Sequence, residues 1–348
     1  MENKKKAIEA LNAIRQLPKV NSIINKYEPF RITSSSNYPT LPPIIKLADE
    51  CIGSAGEIVT VSGVQKSGKS AFLNTCMVAS LSQNKLDSVP PEISVEYCNG
   101  KAILHIDTEQ PKPKHLRNLK NIAMRIGQTE LPENFHSYNV KSMERREVQE
   151  LLEKICPELI SKYGGIHMII LDGAADLIND VNDADASNEL VKLLMKIADE
   201  YKALILAVVH KNPNDGKVRG HLGSELLRKQ DAGVAMKKTD TYCYLVAEDL
   251  RNGGSHLVPQ LKFEFDKYLG YHVCTGLHEG EYKPTKADKL KGLAIHLFKL
   301  TTELSYTDLC KAIMNHTNTG MPNAKAKCRD LVNGGLIQKL ENLNYALV

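Results

Sequence analysis

One segment carries the chemistry around which this chain is organised. Residues Gly63 to Ser70 read Gly-Val-Gln-Lys-Ser-Gly-Lys-Ser, which matches the phosphate-loop pattern G-x-x-x-x-G-K-[ST] at every fixed position. A strand-like apolar run over 58–62 precedes this segment, and residues 69–81 favour a helix after it. The glycines let successive N–H groups point inward at a triphosphate, and the new helix adds its positive dipole end, so we expect ATP or GTP to bind here. The residues predicted to contact the nucleotide are Gly63, Gln65, Lys66, Ser67, Gly68, Lys69, Ser70 and Ala71.

A nucleotide of this kind is handled together with a metal ion. Lys69 is expected to neutralise the β- and γ-phosphates, and Ser70 to ligate Mg²⁺. Asp172 closes the apolar run 167–172 about a hundred residues after the loop, where a second Mg²⁺ ligand belongs. The alternative for Asp172 is a strand-end aspartate that only caps the next helix.

Hydrolysis also needs a group that polarises the attacking water. Glu109 lies just past the strand-like run 101–107. Ligands of open α/β sheets bind at the carboxyl ends of the strands, so a carboxylate there can face the γ-phosphate. An ordinary carboxylate on a surface loop is the alternative interpretation.

The composition is that of an ordinary soluble protein. Its 348 residues suggest two domains, and 42% hydrophobic with 25% charged residues is enough material for a core. No apolar run approaches the ~20 residues of a membrane helix, and the basic start of the chain lacks the apolar stretch of a signal peptide. The eight cysteines include no C-x-x-C pair and the eleven histidines form no ligand-spaced cluster, which favours a reduced cytoplasm over a disulfide or zinc scaffold. We expect a cytoplasmic protein without a membrane partner.

The pattern along the chain predicts an α/β fold. Apolar strand-like runs alternate with amphipathic helices such as 142–163, which indicates a mostly parallel central sheet with helices on both faces. Beyond Thr239 the period changes to two, which predicts antiparallel strands appended to that sheet. The expected domains are a basic arm and linker over 1–40, with a short helix over 7–17, a nucleotide-binding domain over 41–284 and a small domain over 285–348.

The last sixty residues follow a different plan. Three short helices and two short strands, 336–340 and 345–348, predict a winged helix, a variant of the helix-turn-helix. The net charge is +4 over 1–40 and +4 over 285–348, so the middle is about −4, which suggests polyanion contacts at the ends or merely a solvated surface. In helix-turn-helix domains the third helix enters the major groove; winged helices also serve as protein-interaction modules. The DNA-contacting residues predicted on this helix are Lys325, Lys327 and Arg329, beside buried Ala324, Cys328, Leu331 and Val332.

The order of these motifs resembles that of the RecA-like ATPases, and within them the DnaB-type and RepA-type hexameric helicases. The phosphate loop, Ile-Asp-Thr-Glu at 106–109 and Ile-Ile-Leu-Asp-Gly at 169–173 follow in the family's order, and the resemblance covers about residues 45–270. His210 ends the run 203–209 where the family places its γ-phosphate sensor, and Arg251-Asn252-Gly253 is similar to its Arg-Asn-Gly motif.

This resemblance implies roles for particular residues. Glu109 would be the catalytic base, His210 the sensor, and Arg251 an arginine finger that reaches into a neighbouring subunit, which implies a homo-oligomer in the form of a hexameric ring. His210 as a hydrogen-bonded strand-end histidine and Arg251 as a plain turn arginine are the alternatives. The family usually has a lysine two residues before that arginine, and here Asp249 stands there.

Two loops line the central channel and grip DNA in this family. The second corresponds to Lys211–Arg228 and carries Lys211, Lys217 and Arg219 among glycines, which suits phosphate contacts without base readout. The first, 179–185, is acidic and would repel a phosphate backbone.

These expectations combine into a hypothesis and two alternatives. The chain is interpreted as a DNA-binding motor that hydrolyses ATP with Mg²⁺, and the resemblance to RepA-like ATPases places it in replication or mobilisation of an element such as a plasmid or transposon. One alternative is an ATP-dependent assembly switch that recruits a partner without unwinding, which the acidic loop favours. The other is an ATP-responsive regulator whose winged helix reads duplex DNA.

Overall fold

The computed structural model describes six stretches of the chain: 23–213, 216–251, 253–278, 286–299, 301–317 and 319–347. The predicted helix over 7–17 and the predicted boundary at 284 lie outside these stretches. The chain divides into two compact units, 1–41 and 42–348.

The first unit has little structure of its own in its described part. It contains helix α1 (Ile23–Tyr27) and a single 3-10 turn, Glu28–Phe30. Every residue from 25 to 41 is exposed, including the side chains of Tyr27 and Phe30. The side chains of residues 25–41 therefore contribute to no buried core.

The second unit is built on a large sheet. Its strands are β1 (Pro43–Leu47), β2 (Glu50–Ser54), β3 (Ile58–Gly63), β4 (Ile93–Val95), β5 (Ala102–Asp107), β6 (Phe135–Asn139), β7 (Ile166–Asp172), β8 (Leu204–His210), β9 (Ala232–Lys238), β10 (Cys243–Leu250), β11 (Leu261–Asp266), β12 (Tyr271–Leu277), β13 (Ile337–Lys339) and β14 (Tyr345–Leu347). The large sheet has the order β12-β11-β10-β9-β3-β8-β7-β5-β6. Strands β9, β3, β8, β7, β5 and β6 are parallel, and β10, β11 and β12 follow as antiparallel strands. The predicted α/β class is thereby confirmed.

Helices cover the sheet because its strands are apolar on both faces. The helices of this unit are α2 (Lys69–Ser80), α3 (Lys112–Arg125), α4 (Arg145–Tyr163), α5 (Ala184–Tyr201), α6 (Gly220–Lys229), α7 (Lys286–Leu297), α8 (Tyr306–Thr317) and α9 (Met321–Asn333). Neighbouring residues of β5 enter opposite layers: Ile103 belongs to the hydrophobic cluster that includes Phe72 of α2, and Leu104 to the cluster that includes Leu152 of α4. Each such fully buried side chain contributes about 1.5–3 kcal/mol relative to exposure.

Two local features differ from the sequence expectations. Helix α4 begins at Arg145 and not at 142, because Glu144 and Glu147 form a capping box that fixes the first turn. A second sheet of order β2-β1-β4 covers residues 43–54 and 93–95, where the sequence pattern indicated no strand. Its strands have only three to five residues, too few to show a period.

The C-terminal residues form a separate hydrophobic cluster. Helices α7, α8 and α9 and strand β13 meet around Leu309, Ile313 and Leu331, and β13 pairs with β14 as an antiparallel hairpin. Ser305 caps α8, since its hydroxyl accepts the backbone N–H of Asp308 at 3.2 Å. The order of helices and strands is the predicted one.

No helix in the described stretches combines the length and the hydropathy needed to cross a membrane.

Candidate nucleotide-binding site

The candidate site lies at one edge of the sheet because parallel strands end there together. Gly63 at the end of β3 is paired with His210 at the end of β8, and Asp107 at the end of β5 is paired with Asp172 at the end of β7. Four residues that are far apart in the sequence thus reach the same edge.

The phosphate loop keeps its backbone donors available. Helix α2 begins at Lys69, and Gly68 precedes it with a φ of 87° and no side-chain cap. A Cβ at Gly68 would collide with the sulfur of Cys243, and a Cβ at Gly63 would lie 2.5 Å from the backbone oxygen of Met236. Ser67 is fully buried and its hydroxyl has no hydrogen-bond partner. Uncapped N–H groups at a helix N-terminus form a site that favours an anion.

Lys69 contacts the loop itself in this structure. Its Nζ donates to the carbonyls of Gly63 at 3.3 Å and Val64 at 3.1 Å. Burial lowers the pKa of this lysine, and the charges of Glu109 and Asp172 oppose that shift. An ammonium that is removed from water and satisfied by carbonyls can exchange these partners for phosphate oxygens.

Asp172 and Ser70 form the metal side of the site. The Ser70 hydroxyl lies 3.4 Å from Asp172 Oδ2, and Asp172 is only 6% exposed. Burial, followed by the negative charges of Asp107 and Glu109, raises the pKa of Asp172 to about 7, while Lys69 and Ser70 act against that rise. A hydroxyl and a carboxylate are oxygen ligands of the kind Mg²⁺ prefers, and the crowded negative charge calls for a cation, so these residues fit Mg²⁺.

Glu109 and His210 meet across the site. Glu109 Oε1 lies 2.7 Å from His210 Nε2. This hydrogen bond, with the nearby charges of His210, Lys69 and Lys114, lowers the pKa of Glu109 despite partial burial. Asp107 shapes the turn that carries Glu109, because its Oδ1 accepts the backbone N–H groups of Glu109 at 3.0 Å and Gln110 at 2.8 Å.

These groups line the same cavity, which has a volume of about 580 Å³. The phosphate loop, Glu109, Asp172 and His210 all contribute to its wall. The volume of the cavity is suited to a small-molecule ligand. Residues that the sequence interpretation did not single out also line it: Lys114, Arg117, Asn118, Arg125, Lys238, Tyr242, Phe265, Tyr271 and His272. The basic residues of α3 recur at helical spacing, and this pattern could have indicated from the sequence that one face of the helix is basic. Arg125 is buried, donates to Thr75 and Ser88, and lies 4.9 Å from the Tyr271 ring.

Arg251 lies at the other edge of the sheet. It follows β10, which runs antiparallel to β9, and its guanidinium donates to the Gln230 carbonyl at 3.0 Å and lies 3.7 Å from Asp231. The backbone N–H of Asp231 in turn donates to the carbonyl of Ile58 at the start of β3, the end opposite the phosphate loop. Arg251 therefore cannot reach the cavity of its own chain. Asn252 of the Arg-Asn-Gly motif lies outside the described residues.

The segment predicted as a second channel loop is only partly a loop. Residues 220–229 form helix α6, because Leu222 and Leu226, four residues apart, are buried. The predicted loop over Lys211–Arg228 is thus wrong in its second half. Lys211 is bound to Glu248, with its Nζ at 2.5 and 2.6 Å from the two carboxylate oxygens, so its charge is neutralised locally.

The other predicted nucleic-acid residues lie on the surface. Lys217 and Arg219 are at least partly exposed before α6; on α9, Lys325 and Arg329 are exposed and Lys327 is half-buried. The buried side of α9 contains Ala324, Cys328 and Leu331, whereas Val332, which was expected there, is 39% exposed. Val332 lies four residues after Cys328 and so has the spacing of a buried position, but it stands in the last turn of α9, which ends at Asn333, at the margin of the buried face.

Comparison with known proteins gives one family match. A family model described as AAA domain matches residues 28–216, which is more than half of the chain and includes the phosphate loop, Glu109, Asp172 and His210. No curated protein matches the sequence. Among solved structures, the crystal structure of the RadB recombinase is similar with a TM-score of 0.43 and 15% sequence identity, over 63% of this chain and 91% of that chain.

The raised pKa of Asp172 predicts a pH-dependent stability. The folded chain holds this proton up to about pH 7, whereas the ordinary value is 3.8, so the free energy of unfolding falls as the pH rises between these values. Asp172→Asn removes the free-energy cost of ionising this buried carboxyl group in the folded chain. In chelator, urea unfolding should show the variant gaining about 2–3 kcal/mol over wild type between pH 4.5 and pH 7.5. Asp87→Asn, at an exposed aspartate, should show no such trend, and an equal trend in both variants would contradict the assignment.

Proposed function

Because the chain belongs to the AAA domain family, we propose that it hydrolyses ATP with Mg²⁺ and couples the reaction to DNA. The observation that carries the proposal is the cavity in which a phosphate loop faces the hydrogen-bonded pair Glu109 and His210, 2.7 Å apart. A binding loop alone would explain nucleotide binding. A hydrogen-bonded carboxylate in the wall of the same cavity supports hydrolysis.

The binding half of the reaction uses the loop and the metal residues. The phosphates lie against the N–H groups before α2, and Lys69 leaves the carbonyls of Gly63 and Val64 to contact the β- and γ-phosphates. Ser70 and Asp172 would hold Mg²⁺, which would supply neutralisation of the phosphate charge.

The chemical half uses Glu109 and His210. The lowered pKa of Glu109 keeps it ionised at neutral pH, so it can accept a proton from the attacking water as the oxygen bonds to the γ-phosphorus and the bond to ADP breaks. His210 orients the carboxylate through its 2.7 Å hydrogen bond, and it would also contact the γ-phosphate in the sensor role that the resemblance implies. Loss of the γ-phosphate would then change the position of Glu109 through the side chain of His210.

The position of Arg251 supports an oligomer. It is half-exposed, with 59% of its side chain accessible, and it lies at the sheet edge away from its own cavity. For an arginine there to contact a nucleotide, the nucleotide must be bound by a neighbouring subunit, in a head-to-tail ring for which a hexamer is our proposal.

DNA contact is proposed for two basic surfaces. The first is Lys217 and Arg219 before α6, and the second is Lys325, Lys327 and Arg329 on α9, where three helices and a hairpin support the winged-helix interpretation. Lys211 is not included, because Glu248 neutralises it. Replication or mobilisation of a DNA element is the setting that the resemblance to RepA-like ATPases suggests.

One observation favours the assembly switch as a second candidate. Asp180, Asp183 and Asp185 are exposed, and the same segment holds the start of α6, since Leu222 donates its backbone N–H to the Val181 carbonyl at 3.1 Å. Acidic side chains beside the basic ones weaken a grip on a phosphate backbone. Turnover stimulated by single-stranded DNA supports the motor; assembly on ATP with turnover indifferent to DNA supports the switch. The regulator instead predicts tight binding to one duplex sequence.

Glu109→Gln tests hydrolysis. Without a carboxylate the water loses its proton acceptor, so kcat should fall about 10²–10⁴-fold while ATP binding persists. Steady-state turnover and equilibrium binding of ATP with Mg²⁺ separate the two effects. Glu130→Gln, at an exposed glutamate, is the control and should turn over like wild type. Retained turnover in Glu109→Gln would remove Glu109 from the proposed chemistry.

Arg251 can be tested by mixing subunits. Arg251→Ala and Glu109→Gln should each be nearly inactive alone, because one lacks the finger and the other the base. If the finger acts in trans, random mixed rings recover roughly a quarter of wild-type turnover, since that fraction of interfaces has both groups. Molar mass with ATP and Mg²⁺ shows whether rings form. Full activity of Arg251→Ala by itself would rule out the finger.

DNA contact is tested by paired variants of the two surfaces. Lys217→Ala with Arg219→Ala, and Lys325→Ala with Arg329→Ala, should each weaken DNA binding and lower the salt slope of log K by about 1 for each phosphate that is no longer neutralised. Lys192→Ala with Lys196→Ala on α5 removes two exposed lysines elsewhere and is the matched control. Binding titrations with single- and double-stranded DNA at several salt concentrations provide the measurement. Unchanged slopes in both pairs would exclude these surfaces.

A further inference from the structure

We propose that the chain has a second divalent-cation site behind the phosphate loop, formed by His105, Asp107 and Asp172, which takes a first-row transition metal. One ligand atom from each of these buried residues lies within 4.8 Å of the others. The site differs from the proposed Mg²⁺ position at Ser70 and does not depend on ATP hydrolysis.

The fold brings the three residues together without the nucleotide. His105 and Asp107 are two residues apart on β5, so their side chains share one face of the sheet. Asp172 is the register partner of Asp107 on the neighbouring strand β7. All three are under 7% exposed, with His105 at 5%, Asp107 at 0% and Asp172 at 6%.

Asp107 has a carboxylate oxygen without a partner. Its Oδ1 accepts two backbone N–H groups, but its Oδ2 is buried and makes no hydrogen bond. His115 Nδ1 lies 3.6 Å away, beyond hydrogen-bond distance. That nitrogen faces Asn139 Nδ2 at 3.1 Å, and the same amide nitrogen donates to the Gln110 carbonyl at 2.9 Å, which makes His115 Nδ1 the acceptor. Oδ2 therefore faces other acceptors, and a cation satisfies such an oxygen.

His105 is held as a metal-bound histidine is held. As the donor of its Nδ1–H to the Ser137 hydroxyl oxygen, which lies 2.8 Å away, His105 presents the lone pair of its Nε2 to an ion. Ser137 also lies 2.7 Å from His115 Nε2, so a hydrogen-bonded second layer surrounds the site. Ligating histidines generally have their other nitrogen fixed by such a partner.

The ligand set selects the class of ion. One imidazole and two carboxylates suit Mn²⁺, Fe²⁺, Co²⁺ or Zn²⁺, whereas Mg²⁺ prefers oxygen ligands alone. Asp172 presents Oδ2 to Ser70 and has a second oxygen, so it can serve both sites. An ion at Asp107 would also stiffen the turn that carries Glu109, because Asp107 holds the backbone of that turn.

The test uses Mn²⁺ alone with the full chain and no nucleotide. Loss of the free Mn²⁺ electron paramagnetic resonance signal gives the stoichiometry, and pulsed spectra of protein labelled with ¹⁵N-histidine report nitrogen directly bound to the ion. We expect about one Mn²⁺ per chain with ¹⁵N coupling, resistant to millimolar Mg²⁺. Asp107→Asn keeps the oxygen that holds the turn and should weaken binding at least about tenfold. His105→Gln should abolish the coupling.

The matched control separates the two metal sites. Ser70→Ala should keep the nucleotide-free Mn²⁺ and its ¹⁵N coupling, because Ser70 is not a ligand of the second site and its contact with Asp172 uses the oxygen Oδ2, which leaves the other carboxylate oxygen for the ion. Thermal melts of each variant show that it is folded. No Mn²⁺ binding without nucleotide, binding without ¹⁵N coupling, or coupling that persists in His105→Gln would each overturn the site. A chain that turns over ATP but fails this test loses only the second site, so the two proposals fail independently.

Discussion

Two carboxylates at the carboxyl edge of a parallel sheet determine which groups must surround them in the rest of the site. Asp107 and Asp172 are register partners and both are buried, so each raises the energy of the other's charge. The surrounding groups answer this charge: Lys69 and Ser70 face Asp172, and the N–H groups of the turn at Glu109 face Asp107. The edge is held ready for cations, which is what a nucleotide with its metal brings.

The sequence predicted the parts that follow from local rules. A phosphate loop is recognisable because only glycine fits where Gly68 adopts a positive φ against Cys243, and a short continuous apolar run such as 203–209, in a chain where such runs alternate with helices, indicates a buried strand. Such signals need no knowledge of the neighbours. They placed Gly63, Glu109, Asp172 and His210 at one edge, because parallel topology converts strand ends into spatial neighbours.

Features that the sequence did not reveal depend on pairings over long distances. In the sequence Asp107 is an ordinary acidic residue at a strand end, and only the fold places Asp172 and His115 beside it. In the same way, the sequence suggests that Lys211 is available as a cation, whereas in the fold it is bound by Glu248 on the antiparallel strand β10. The helix α6 was missed because its glycines suggest a loop, while its two buried leucines only matter once a sheet lies beneath them. Val332 has the helical spacing of a buried residue, and only the exposure of its side chain in the last turn of α9 shows that it does not join the core.

The positive charge around Glu109 bears on whether an arginine from a neighbouring subunit is needed at the site. The cavity already contains Lys114 and Arg117 from its own α3, and the charge of Lys114 helps lower the pKa of Glu109. These cations lie on the exposed outer turns of a helix, where water screens them, whereas a guanidinium delivered across an interface acts after water is displaced. A trans arginine would therefore be worth more than the local lysine at equal distance, and it would act only when subunits are assembled. In such an arrangement assembly would couple to hydrolysis because displacing water lowers the local dielectric constant, and no change in the shape of the site would be required.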